Sequence, residues 1–110
     1  MAMEIDAKLY IVTRSDLRNG LKIAQCCHAM REFTHAHPEI DREWFDVSKY
    51  IVVLTVDDER SLREKFEEIR AQGIKVAEFC EPDLDNAMTA FACEPSSRTR
   101  SSLKSLRLAN

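Results

Sequence analysis

Glycine is almost missing from this chain, with two in 110 residues, and proline stops at three. That scarcity excludes a Gly-rich phosphate loop, which needs glycines at fixed spacing so that backbone N–H groups can close on the ligand. It also marks a folded domain, not a low-complexity segment. Apolar runs are short, none approaching the roughly 20 residues of a membrane span. Met1 to Ala7 carries two acids and no apolar stretch, unlike a secretory leader. Cysteine is present, but not as a framework. Cys26, Cys27, Cys80 and Cys93 fall in apparent helix and strand cores, and Cys26-Cys27 is no CxxC, so the sequence predicts reduced, packed thiols in a cytoplasmic protein. His28 and His35 lie two helical turns apart and His37 adjoins a helix-ending proline, a spacing that argues against a metal site. No Ser-His-Asp set stands out either.

A surplus of positive charge is also lacking. The formal net charge of -3 excludes a generally basic nucleic-acid binder. Its distribution is uneven, because residues 39 to 85 hold 14 acids against 7 bases, residues 1 to 31 hold 3 against 5, and residues 96 to 110 hold 4 bases and no acid. If the two ends of the chain meet, they make a modest cationic surface suited to one phosphate-bearing partner; otherwise they are a solvated tail and scattered charges. With 45% apolar and 32% charged residues, positions 1–110 read as a single domain with a core of its own.

The coarse elements follow from periodicity. Lys8 to Thr13 and Tyr50 to Leu54 are nearly continuous apolar runs with β-branched members, as expected of strands buried on both faces. A polar turn from Arg14 to Asn19 leads into a helix opening at Gly20. On a wheel of 100° per residue, Ile23, Cys26, Cys27, Met30 and Phe33 share one arc, with Gln25, His28 and Glu32 opposite, so the helix is expected to dock by its sulfur-rich side. His37-Pro38 ends it. A short helix over Glu39 to Asp46 is anchored by Ile40, Trp44 and Phe45. Asp57 or Asp58 caps a further helix through Gln72, with Gly73 as its stop and Leu62, Phe66 and Ile69 facing inward. Ile74 to Cys80 and Met88 to Cys93 make two more strands joined by the loop Glu81 to Asn86, and Ser96 caps a last helix that carries Leu103 and Leu106 toward the core. The expected fold is α/β, one three-layer α-β-α domain with a mixed four-stranded sheet in the order β-α-α-β-α-β-β-α.

The junction between the first strand and its helix is where open α/β sheets place ligands, since free N–H groups and the positive end of the helix dipole converge there. Chemistry at such a junction draws on a base for a proton and on donors or positive charge for a developing anion. His28 can be that base or orient it, or it is a satisfied histidine at a helix–sheet contact. Gln25, Asn19 and the N–H groups near Leu21 and Lys22 are candidate donors, Lys22 a cation for phosphate or oxyanion or an ordinary exposed lysine, and Asp16 a site carboxylate or a turn residue. Arg98, Arg100, Lys104 and Arg107 either grip phosphates or flank the last helix.

Ser15-Asp16-Leu17, Gly20 and Ala24-Gln25-Cys26-Cys27-His28-Ala29 together resemble the N-terminal signature of the type-2 peptidyl-tRNA hydrolases, the archaeal and eukaryotic kind. Val52-Val53-Leu54 with Asp58-Glu59-Arg60-Ser61-Leu62, and Met88 through Pro95, are similar to that family's second strand, next helix and last strand. Glu81-Pro82, Asn86 to Thr89 and Leu103 to Leu108 are nearest the divergent peptidyl-tRNA hydrolase domain-containing branch. The resemblance implies hydrolysis of the ester between tRNA and a peptidyl or N-blocked aminoacyl group, with no metal or cofactor, by a homodimer. It matches Asp16, Gly20, Gln25, His28 and Thr89 to the family's site positions, with Glu81 or Asp83 left to supply the carboxylate; together with the residues read above, the expected catalytic set is Asp16, Lys22, Gln25, His28, Glu81 or Asp83, and Thr89, and the expected substrate-binding set Arg14, Arg18, Asn19, Gly20, Arg98, Arg100 and Lys104. Two departures stand out. The family's lysine position holds Leu21, with Lys22 one place later and 100° further round the helix, and the family's Asp-Ala-Gly-x-Thr loop is replaced by Glu81 to Asn86. A non-catalytic tRNA- or protein-binding relative and a small-molecule esterase are the competing classes.

Overall fold

The computed structural model describes residues 8–110; the reading of Met1 to Ala7 lies outside them. Strand β1 (Lys8–Arg14) leads to helix α1 (Asn19–Ala36), α2 (Pro38–Val47), β2 (Tyr50–Val56), α3 (Glu59–Ala71), β3 (Val76–Glu81), β4 (Ala87–Cys93), α4 (Ser97–Leu103) and β5 (Arg107–Leu108), with a 3-10 turn at Pro82–Leu84. The sheet order is β3-β4-β1-β2-β5, with β1 and β2 parallel and the other neighbouring pairs antiparallel.

The expectation of an α/β domain with a mixed sheet holds, but the sheet has five strands, not four, and the element order gains the 3-10 turn and a closing strand. The last helix stops at Leu103; Leu106 N–H then bonds back to the Leu103 carbonyl, and Arg107 and Leu108 turn to pair with Thr55 and Leu54 of β2. Two residues are too few to leave an alternating pattern in sequence.

Alternation along β1 divides the core. Leu9 and Ile11 join Ala29, Phe33, Trp44, Ala77, Ala90 and Ala92 under α1 and α2. Tyr10 and Val12 join Leu54, Leu62, Phe66, Ile69, Phe91 and Leu103 under α3 and α4. The capping chemistry is as the residue types demand. Asp58 Oδ1 accepts from Ser61 N–H at 2.9 Å to open α3, and Gly73 closes it with φ of 79°, a left-handed conformation that glycine adopts without a Cβ penalty.

The orientation of α1 departs from its wheel. Gln25, Ala29 and Phe33 face the core, while Ile23 is 66% exposed and Cys27 is also exposed. Of the four cysteines only Cys93 is fully buried. The helix leans toward β3 and β4, where Ala77, Ala90 and Ala92 admit it closely. The corresponding face of β2 is left uncovered, so Ile51 is exposed and β2 is not buried on both faces as its apolar run implied. Phe33→Ala is therefore expected to cost about 3–5 kcal/mol in urea unfolding, and Ile23→Ala, from the same apparent arc, within about 0.5 kcal/mol.

Candidate active site

Strand β4 carries the feature that organises the site. Its register against β3 slips by one residue between Phe79↔Ala90 and Cys80↔Met88, leaving Thr89 with no partner opposite. Such a bulge re-aims a side chain at the price of ladder bonds. Here the Thr89 hydroxyl points at α1 and donates to Gln25 Oε1 at 2.5 Å, with Phe79 O at 3.3 Å, while its carbonyl accepts from the Thr13 hydroxyl at 2.8 Å. Gln25 Nε2 in turn donates to Glu81 Oε1 at 2.9 Å. An ionised carboxylate only accepts, so the amide nitrogen must face Glu81 and its oxygen must face Thr89.

Thr89, Gln25 and Glu81 thus form one relay running from dry interior to surface. Thr89 and Gln25 are fully buried and Glu81 is half-buried. The Gln25 amide, then the Asp83 N–H, together with the charge of His28, hold the Glu81 carboxyl below its ordinary value. His28 is exposed and its ring stacks on Phe79 at 4.3 Å, with an interplanar angle of 12°. Asp83 offers its backbone to Glu81 Oε2 at 3.3 Å, and its side chain is exposed. The loop turns at Asp85 and Asn86, both left-handed, and Asn86 N–H returns to the Glu81 carbonyl.

The other candidates lie elsewhere. Asp16 is held by Arg14 through two bonds, 2.9 and 3.0 Å, which raise the Arg14 guanidinium above its ordinary value; Arg14 also donates to the Met88 carbonyl at 3.1 Å. Lys22 and Asn19 line an apolar groove of about 520 Å³ between α1 and β2, with Ile11, Ile23, Met30 and Val53. Lys22 and His28 are six positions apart and so project about 120° from each other around the helix. Cys26, on the groove wall, has its thiol pushed up by burial, which keeps it protonated and a poor nucleophile. Arg18 and Gly20 are exposed at the start of α1, which has no side-chain cap, and the Lys22 N–H is spent on the Arg18 carbonyl. Arg98 donates to the Gln72 carbonyl at 3.1 Å and approaches Glu94; it lies at the opposite end of the sheet, because α4 follows β4, which is antiparallel to β1. Lys104 is exposed at the end of α4, and Arg100 lies on that helix. Arg107 approaches Asp57 at 3.6 Å, just ahead of α3.

Two residues that sequence reasoning passed over belong to the site. Thr13 is a polar member of an apolar run, a legible signal, and it supports the Thr89 carbonyl. Glu59, the first residue of α3, accepts the Met88 N–H at 2.8 Å, which holds its carboxyl below the usual range, with Arg63 assisting at 2.9 Å. Among the described residues no three His, Cys, Asp or Glu side chains gather to hold a metal ion, and no helix is long and apolar enough to cross a membrane.

These features define a class first: a three-layer α/β domain with a glutamine-centred polar relay beside the carboxyl end of its first strand. Within that class, the chain belongs to the family described as Peptidyl-tRNA hydrolase PTH2, whose family model matches residues 7–108. Among solved structures it is similar to a protein of unknown function from Agrobacterium tumefaciens strain C58. The TM-score is 0.70 at 16% identity, covering 94% of this chain and 97% of that one, a likeness of fold alone. No curated protein matches.

Two outcomes test the relay. Thr89→Val leaves Gln25 Oε1 buried without a donor and is expected to cost about 1–3 kcal/mol in chemical denaturation. Glu59 and Glu81 both have folded values below their unfolded ones, so their contribution is complete above the ordinary carboxyl range and lost as pH falls through the depressed values. The urea midpoint should hold from neutrality to about pH 5.5 and decline below about pH 4.3, with a shallower decline in Glu59→Gln.

Proposed function

We propose that this chain hydrolyses the ester joining a peptidyl or N-blocked aminoacyl group to tRNA. Family membership over residues 7–108 supports the reaction class, and the observation that carries the site assignment is an exposed imidazole beside a carboxylate locked in place by Gln25. In this reading His28 takes a proton from water as its oxygen attacks the ester carbonyl carbon. Glu81, kept ionised, steadies the imidazolium, which returns the proton to the ribose oxygen as the carbon–oxygen bond breaks. Thr89 and Gln25 hold Glu81 and touch no substrate, and Asp83 fixes the second carboxylate oxygen through its N–H.

Gly20 precedes His28 by eight residues, about 12 Å of helix rise. The uncapped N–H groups of Asn19 and Gly20, with Arg18 and Lys22, therefore suit a tRNA phosphate and not the oxyanion. Arg98 is too remote to join them, and Arg100 and Lys104 are assigned to the tRNA body. The reading needs no metal or organic cofactor and places the protein in the cytoplasm. The exposed apolar side chains that line the groove, Ile23 and Ile51, support a homodimer as the working form.

A second reading, a tRNA- or protein-binding relative without turnover, is favoured by two particulars. Leu21 holds the family's lysine position while Lys22 faces the groove, and the Asp16 carboxylate is engaged by Arg14.

The deciding assay is release of diacetyl-lysine from diacetyl-lysyl-tRNA. Turnover is expected, with His28→Ala and Glu81→Gln each lowering kcat by about 10²-fold or more at unchanged melting temperature. Binding of the acylated tRNA by wild-type protein without release of the acyl-amino acid would establish the second reading.

A further inference from the structure

We propose that Glu59, together with Arg14, is a positioning residue for the Thr89–Gln25–Glu81 relay and acts through the backbone of Met88. The inference deepens the ester-hydrolysis reading and rests on it only for its kinetic consequence.

Met88 immediately precedes the unpaired Thr89, and side chains from the α3 side of the sheet grip it at both backbone polar groups. Its N–H enters the Glu59 carboxylate at 2.8 Å and its carbonyl takes an Arg14 N–H at 3.1 Å. Each gripping group is itself fixed. Glu59 is bonded by Arg63 at 2.9 Å, and Arg14 is forked onto Asp16. Charged partners make hydrogen bonds roughly twice as strong as neutral ones, and a forked guanidinium adds a fixed direction.

This grip decides which residue of β4 meets α1. A bulge can migrate, and a slip of one residue flips side chains between faces. Met88 now packs in the core under α3 and Ala90 in the core under α1, with the Thr89 hydroxyl on Gln25. Were the bulge displaced, a methionine or alanine would meet the buried amide, Gln25 would lose its donor, and Glu81 would lose its anchor. Glu59 and Arg14 hold the one register in which the relay is complete. Asp16 then works through Arg14 and touches no substrate.

Nitrogen-resolved NMR of the full chain tests this, following the Gln25 side-chain NH2 alongside kcat and KM on diacetyl-lysyl-tRNA. In Glu59→Ala the Gln25 signal should move toward the position of a free glutamine and exchange about tenfold faster, with kcat falling by a similar factor at unchanged KM. Glu59→Gln, whose amide oxygen still accepts the Met88 N–H, should retain the wild-type signal. Asp58→Ala weakens α3 without touching Met88 and should leave that signal in place. Should Glu59→Ala fail to fold, Arg14→Lys, which loses the fork, supplies the second arm with the same displaced signal expected. A Gln25 signal unmoved in the variant that folds, or moved equally by Asp58→Ala, overturns the proposal. The NMR arm decides even if the wild-type protein turns over no ester, so failure of the enzymatic reading stays distinct from failure of this one.

Discussion

A primary amide sealed from water must find both a donor and an acceptor inside the protein, or forfeit the cost of desolvating it. Gln25, 1% exposed, finds them in the Thr89 hydroxyl and the Glu81 carboxylate. Much of the site follows from that demand. The helix must rotate so that a glutamine, not its neighbouring sulfurs, enters the sheet. Strand β4 must bulge to offer a hydroxyl, and the β3–β4 turn must keep Glu81 within reach. Through this one side chain helix α1 is tied to strands β3 and β4.

That demand also explains what was legible in the sequence. The spans of β1, α1, α3 and β4 could be read within a residue or two because apolar spacing, Asp58, Gly73 and Pro38 each leave a local signal. The face of α1 could not. Apolar periodicity assigned the core to Ile23 and Cys27, yet a buried glutamine with two partners outcompetes an apolar arc that finds only an uncovered strand face. The wheel treats glutamine as solvent-seeking, and nothing local reveals that Thr89 and Glu81, more than fifty residues on, will meet it. The bulge and the two-residue β5 were illegible for a similar reason, since both are defined by a partner strand and not by their own residues.

Candidate residues drawn from family likeness separate into three places. Gln25, Glu81 and Thr89 come together, with His28 beside them. Asp16 and Arg14 pair on the α3 side, and Asn19 and Lys22 face the groove. The displacement of the lysine by one position matters because a helix converts a single step in sequence into a swing of about 100°. Fold membership survives such a swing unchanged, whereas chemistry that requires a cation near the carboxylate does not.

The strand order carries a consequence for how this chain comes into being. Lys8–Arg14 is flanked on one side by Ala87–Cys93, so the centre of the sheet joins two segments far apart in the sequence. Until the ribosome has delivered the second of them, Phe33 and Ala29 have no floor of alanines beneath them. Pairings of such long sequence separation close slowly because the entropy of a long loop is spent before any contact repays it. A nascent chain therefore stays partly open until Ala87–Cys93 has emerged, with its apolar helix face within reach of chaperones.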